Sequence, residues 1–268
     1  MQARVPTLRR IDLLLEHAER AEASADRDVD AVRIATWRLD AGAPGDAGFL
    51  GDAARLALLT EDFELVARLA TAAELSGAVD TELLLIHADA LTKLGRVDDA
   101  LATLARAREL DDADPVDQHR TARILTMTTT ALITGSGRFD EALALLDGAA
   151  ERLPDAARRL RQARARILVG LERPREALAE LELIPEGANV GEQAEIDLNT
   201  SVPFVALGRT DDALRTTERA LAAARLADAT IPLRVAYLMR AVTLAQACRL
   251  EEARSHAADA LAEAIVLD

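Results

Sequence analysis

The chain has 268 residues, 50% of them hydrophobic but only 2% aromatic, and a formal net charge of −14. That acidity argues against nucleic acid or an anionic membrane as a direct partner, because both would be repelled at long range. Ala and Leu dominate the apolar share, so helices are favoured over strands, and this length suits an array that grows by adding units.

In chain order, apolar residues recurring at three and four predict helices over about 7–25, 28–41, 47–60, 63–77, 80–94, 97–110 and 115–135. The pattern continues over about 139–152, 154–171, 174–183, 190–207, 210–227, 231–247 and 250–267. Ala41-Gly42-Ala43-Pro44-Gly45-Asp46 is the clearest break, read as a loop between a first helical pair and a regular array. Pro203 falls inside a helical stretch and is expected to kink it, freeing the carbonyl near Asn199.

One phrase returns along the chain. It reads Gly95-Arg96-Val97-Asp98-Asp99-Ala100, Gly137-Arg138-Phe139-Asp140-Glu141-Ala142 and Gly208-Arg209-Thr210-Asp211-Asp212-Ala213, with degenerate copies ending at Val66, Ala177 and Ala253. Successive copies lie 34, 42, 35, 36 and 40 residues apart. The glycine suits a left-handed helix stop, the acidic pair opposes the positive end of the next helix, and the alanine permits close helix approach. Cys248 occupies the place of the turn glycine in the last copy. The spacing and the set Ala100, Leu104, Ala107 resemble the tetratricopeptide repeat. The expected fold is therefore all-α: a tetratricopeptide-like superhelix of about seven antiparallel helix pairs, an α-solenoid. Residues 1–46 form an N-terminal helical pair continuous with the array, and 47–268 form the repeats.

No catalytic constellation emerges. His17, His87, His119 and His256 lie in different units without metal-ligand spacing, and the serines lack a nucleophile elbow. The expectation is a protein that is not an enzyme and has no cofactor or metal. Cys248 is the sole cysteine, which excludes an intrachain disulfide, and no window approaches the roughly 18 apolar residues of a membrane span. A cytoplasmic location is expected.

Recognition is then expected on the first helix of each hairpin, at the positions lining a concave groove. Those positions give Arg55, Asp89, Lys93, Met127, Arg159, Gln162 and Arg166, continuing to Leu198, Val202, Leu238 and Gln246. Arg158 to Arg166 holds five arginines, read either as ion pairs with Glu195 and Asp197 or as an anion site. The hydroxyls of Thr126-Met127-Thr128-Thr129-Thr130 can bond back to their own helix or meet a ligand. A protein or peptide partner, or a small effector, would fit such a groove, and homo-oligomers are possible in principle.

The segments Arg33-Ile34-Ala35-Thr36-Trp37-Arg38-Leu39-Asp40-Ala41-Gly42, Ala53-Ala54-Arg55 and Asp62 to Ala70 resemble the helical region of large LuxR-type ATP-binding transcriptional regulators of the STAND, maltose-activator-like kind. In that family an NTPase module precedes a tetratricopeptide-like sensor region, and a short helix-turn-helix follows it. The resemblance implies a regulatory sensor arm that binds an effector or protein partner. Lys93, the chain's sole lysine, follows Thr92, so there is no phosphate loop, and no basic recognition helix precedes Asp268. The alternative is a free-standing adaptor that scaffolds protein-protein interactions.

Overall fold

The computed structural model describes residues 7–22, 31–77, 79–113 and 117–267. They form helices joined by turns, with no strand among the described residues. The chain gathers into two compact units, Met1–Arg138 and Phe139–Asp268.

The first unit holds α1 (Thr7–Glu22), α2 (Ala31–Asp40), α3 (Ala47–Leu58), α4 (Phe63–Leu75), α5 (Thr81–Lys93), α6 (Val97–Ala113) and α7 (Gln118–Ser136). The expected helix ends at 23–25, 28–30 and 115–116 lie outside the described residues. Aspartates start several of these helices: the carboxylates of Asp62 and Asp80 accept from the backbone N–H groups of Leu65 and Leu83 at 3.1 and 2.7 Å. Helices pair as α1/α2, α3/α4 and α5/α6, and α5 also touches α3, α4 and α7. Small residues set the spacing. Ala53, Ala57, Ala70, Ala73, Ala90 and Ala100 are fully buried, and a Cβ added at Gly135 of α7 would stand 1.9 Å from Val97 Cγ2 of α6.

The second unit holds α8 (Phe139–Leu146), α9 (Ala149–Arg152), α10 (Ala157–Gly170), α11 (Pro174–Glu182), α12 (Val190–Ala206), α13 (Thr210–Leu226), α14 (Thr230–Gln246) and α15 (Leu250–Leu267), with a 3-10 turn at Pro154–Ala156. The single helix expected over 139–152 is broken, because Gly148 takes φ +63° and turns the chain between α8 and α9. By contrast, α12 continues through Pro203 to Ala206. The hairpins are α10/α11, α12/α13 and α14/α15. The first helices α10, α12 and α14 touch in succession, whereas the second helices α11, α13 and α15 touch no other second helix among the described residues. Gaps therefore open between the second helices.

The recurring phrase closes its turns as its residues predict. Gly95 and Gly208 take φ +74° and +69°, and so do the residues that replace glycine, Glu172 at +58° and Cys248 at +58°. The next N–H then reaches back five residues: Arg96 to Leu91 O at 2.8 Å, Arg173 to Leu168 O at 2.8 Å, Arg209 to Phe204 O at 2.9 Å and Arg249 to Leu244 O at 2.9 Å. The arginine in the phrase has a task that spacing did not reveal. It pairs with the acid three residues on, as Arg96 with Asp99 and Arg249 with Glu252.

Candidate functional site

The second unit's first-helix layer centres on α10, whose apolar residues Leu160, Ala163, Ile167 and Leu168 are buried while its arginines ring the remaining surface. Three of the five arginines are engaged by carboxylates. Arg158 donates to Glu192 at 2.9 Å, and the same carboxylate completes the capping box with Asn189 at the start of α12. Arg161 bridges Glu180 at 2.7 Å and Glu151 at 2.9 Å, and Arg164 donates to Asp147 at 2.5 Å. The partners expected from sequence, Glu195 and Asp197, are not these. Asp197 is buried on α12 and accepts from Arg219 of α13 at 2.9 and 3.2 Å, so it is unavailable to α10.

Arg159 and Arg166 are exposed and make no ion pair among the described residues. Seven residues apart, they fall on one face of the helix, two turns from each other. Partial desolvation of the otherwise exposed Arg166 side chain pulls its pKa below the ordinary value; Glu195 opposes that shift and Arg159 reinforces it. Between the two arginines sits Gln162, which is buried and accepts from Asn199 of α12 at 2.6 Å; Asn199 also donates to Glu195 O at 3.0 Å. Local charge on this face of α10 is thus positive, offset in part by Glu195, in a chain whose net charge is −14.

Two helices away the same layer turns apolar. On α14, Val235, Leu238 and Val242 are 41%, 62% and 37% exposed, at spacings of three and four that place them on one stripe. Neighbouring helices pack 8–10 Å apart, so this stripe lies roughly 16–20 Å from the α10 arginines. Sequence singled out Leu238 but not the valines. Period alone could not separate them, because Leu233, Tyr237 and Leu244 of the same helix have similar spacing and are buried.

In the first unit, the residues expected in a groove have varied surroundings. Arg55 is paired with Asp52 at 2.8 Å and Asp80 at 3.4 Å. Met127 is half-buried against the cluster of Leu84, Leu85 and Ile124. Asp89 is half-buried and Lys93 exposed, and neither forms an ion pair among the described residues. The threonines of α7 bond back to their own helix: Thr126 to Arg123 O at 3.0 Å, and Thr128, Thr129 and Thr130 to Ile124 O or Thr126 O at 2.8 Å. Their hydroxyls are satisfied locally. His87 is engaged as well, its Nδ1 2.6 Å from Glu74, which also accepts from Arg106 at 2.6 Å.

Cavities open on the other layer, in the gaps beside the second helices. The largest of those described, about 810 Å³, lies among Leu178, Leu181, Phe204 and Ala222, under a rim of Arg209, Arg215 and Arg219. Those arginines are engaged by Asp212, Asp212 and Asp197. A second cavity, about 310 Å³, lies among α13, α14 and α15 and includes Tyr237, Arg240 and His256. Sequence gave no signal for it, because its polar residues come from three helices. No group of three or more His, Cys, Asp or Glu residues able to hold a metal occurs among the described residues. No helix there is long and apolar enough to cross a membrane.

No protein-family model matches the chain, and no curated protein matches it in sequence. Among solved structures, it is similar to a Rap protein complexed with competence and sporulation factor, at 14% identity over 95% of this chain and 89% of that one, with a TM-score of 0.57. It is similar at lower scores to the TPR2AB domain of yeast Sti1 in its pHSP90 complex, at 14% identity over 80% and 89% of the two chains, TM-score 0.33. A tetratricopeptide repeat protein from Parabacteroides merdae ATCC 43184 gives 13% identity over 85% and 99%, TM-score 0.38. At such identities the likeness to the Rap protein speaks for architecture, and with the stacked hairpins it shows an all-α helical-repeat fold of the tetratricopeptide kind.

Proposed function

We propose that this chain is an interaction scaffold whose first-helix layer, α10 to α14, binds a protein or peptide partner carrying acidic and apolar side chains, and that it catalyses no reaction. One observation carries the reading: Arg159 and Arg166 stand exposed and unpaired on one face while their three neighbours are all held by carboxylates. Arginines left free in an otherwise acidic protein are suited to bidentate carboxylate contacts, and the stripe of Val235, Leu238 and Val242 supplies an apolar anchor in the same layer. The structurally similar Rap protein was captured with a bound factor, which is consistent with a binding role for the fold.

The narrower reading makes this scaffold the sensor region of a LuxR-type regulator, and it rests on the resemblance of the segments between Arg33 and Ala70. A reading frame that continues into a basic helix-turn-helix would support it over the free-standing adaptor.

Selection from a random peptide library tests the binding role. Enriched peptides should combine acidic residues with an apolar group, and binding should fall at least tenfold in the Arg159→Glu, Arg166→Glu double variant, with helicity by circular dichroism unchanged. Absence of enrichment, or affinity unaltered in the folded double variant, would refute it.

A further inference from the structure

We propose that the open cavity lined by α13, α14 and α15 is a second, separate binding site, which takes a small oxyanion such as a carboxylate or phosphate group. Its volume of about 310 Å³ is at the small end of ligand pockets, room for a compact metabolite. Leu221, Ala222 and the Tyr237 ring give it apolar walls, and Arg225, Arg240 and His256 bring donors from three different helices.

Hydrogen-bond arithmetic in the wall points to an acceptor. Arg240 Nη2 donates to Glu218 at 2.9 Å and its Nη1 lies 3.2 Å from Nδ1 of His256. A guanidinium can only donate, so Nδ1 must accept, and the imidazole proton sits on Nε2. That Nε2 is buried with no hydrogen-bond partner, and so is Nε of Arg240. His256 is itself only 9% exposed. Two buried N–H groups without acceptors are costly, and folded proteins rarely leave such groups unmet. Tyr237 stacks beside His256 with ring centroids 5.1 Å apart, and the Arg225 guanidinium lies 5.5 Å from the Tyr237 centroid and donates to its hydroxyl. An oxyanion has acceptors alone, which is what the wall lacks.

The larger cavity beside α11 does not compete, because among the described residues no buried donor without an acceptor lines it. In the smaller one, Glu218 and Asp259 are the opposing charges. Glu218 sits at the rim, its side chain 56% exposed, and orients Arg240; Asp259 is exposed on α15. Burial holds the His256 pKa below its ordinary 6.5, Arg240 and Arg225 add to that effect, and Asp259 opposes it. A bound anion would accept from the Nε2 proton of the neutral imidazole; a second proton would sit on Nδ1 against the Arg240 guanidinium, so binding should not depend on proton uptake by His256.

Thermal unfolding of the whole chain in sodium phosphate and in sodium acetate, against sodium chloride at equal ionic strength and about pH 7, tests the site. Phosphate or acetate should raise Tm above the chloride value, and whichever gives the larger shift identifies the headgroup. The shift should vanish in His256→Phe and in Arg240→Gln. It should grow in Glu218→Gln, which removes a rim charge and keeps every donor, so the idea stays testable if Arg240→Gln fails to fold. It should persist in the Arg159→Glu, Arg166→Glu variant, which keeps this result distinct from partner binding on α10. No shift beyond chloride, or a shift retained in His256→Phe or lost in the α10 variant, would overturn the proposal.

Discussion

The carboxamide of Asn199 donates to Gln162 Oε1 at 2.6 Å, tying α12 to α10 midway between the unpaired Arg159 and Arg166. Gln162 is buried, so this bond satisfies a group that water cannot reach and also fixes how α10 presents its arginines. Asn199→Ala should cost about 1–2 kcal/mol in urea unfolding, since it strands the Gln162 oxygen. Gln162→Leu together with Asn199→Ala should recover part of that loss, because removing both partners leaves no stranded group.

Glu180 is shared by Arg161 at 2.7 Å and Arg164 at 3.3 Å, and its side chain and that of Arg161 are both 14% exposed. Glu180→Ala leaves Arg161 with Glu151 alone. Breaking a largely buried pair is costly, and about 2 kcal/mol of stability should be lost by chemical denaturation. Arg173→Ala, which removes an exposed turn pair with Glu176, should leave the denaturation midpoint almost unchanged.

Acid should loosen the first unit through Glu74. Burial alone would raise its pKa, but hydrogen bonds from His87 and Arg106 together pull it below the ordinary 4.5. The folded state therefore holds this proton less tightly than the unfolded chain does. Its contribution is present above about 4.5 and is lost as pH falls through the lower folded value. Stability measured from pH 6 to pH 3 should fall less steeply in Glu74→Gln than in the parent; equal slopes would show that other carboxylates govern the acid limb.

Turn residues offer a test in the stabilising direction. Cys248 has φ +58°, a conformation that costs a side-chain-bearing residue energy and glycine almost none. Cys248→Gly should raise stability by up to about 1 kcal/mol, while Gly95→Ala, at φ +74°, should lower it by a similar amount. Gly135→Ala should be worse than either, near 1–3 kcal/mol, because its Cβ would overlap Val97 and α6 would have to shift.

Much of the fold was readable because its punctuation is local. A glycine, an arginine and two acids specify a stop and a restart within six residues, and the helix limits around Gly95 and Gly208 follow from that phrase. The break at Gly148 was hidden because Leu146 and Ala149 continue the apolar period straight across it. At the site, the arginine cluster was evident but its division was not. Glu180 and Glu192 lie 19 and 34 residues from the arginines they engage, and which carboxylate faces α10 depends on how α11 and α12 pack. His256 and Arg240 were legible even less, since an isolated histidine on a helix shows nothing of the cavity it borders.

Eight of the thirteen residues of α5 are buried, and the helix is flanked by α3, α4, α6 and α7. The other helix contacts in the first unit, α2 with α4 excepted, are between neighbours in sequence, so its unfolding can begin at the margins and stop short of α5. Deuterium should therefore enter the amides of Leu84 to Leu91 last, well after those of α1. The helix that offers least to a partner would be the one that keeps this unit's record of being folded the longest.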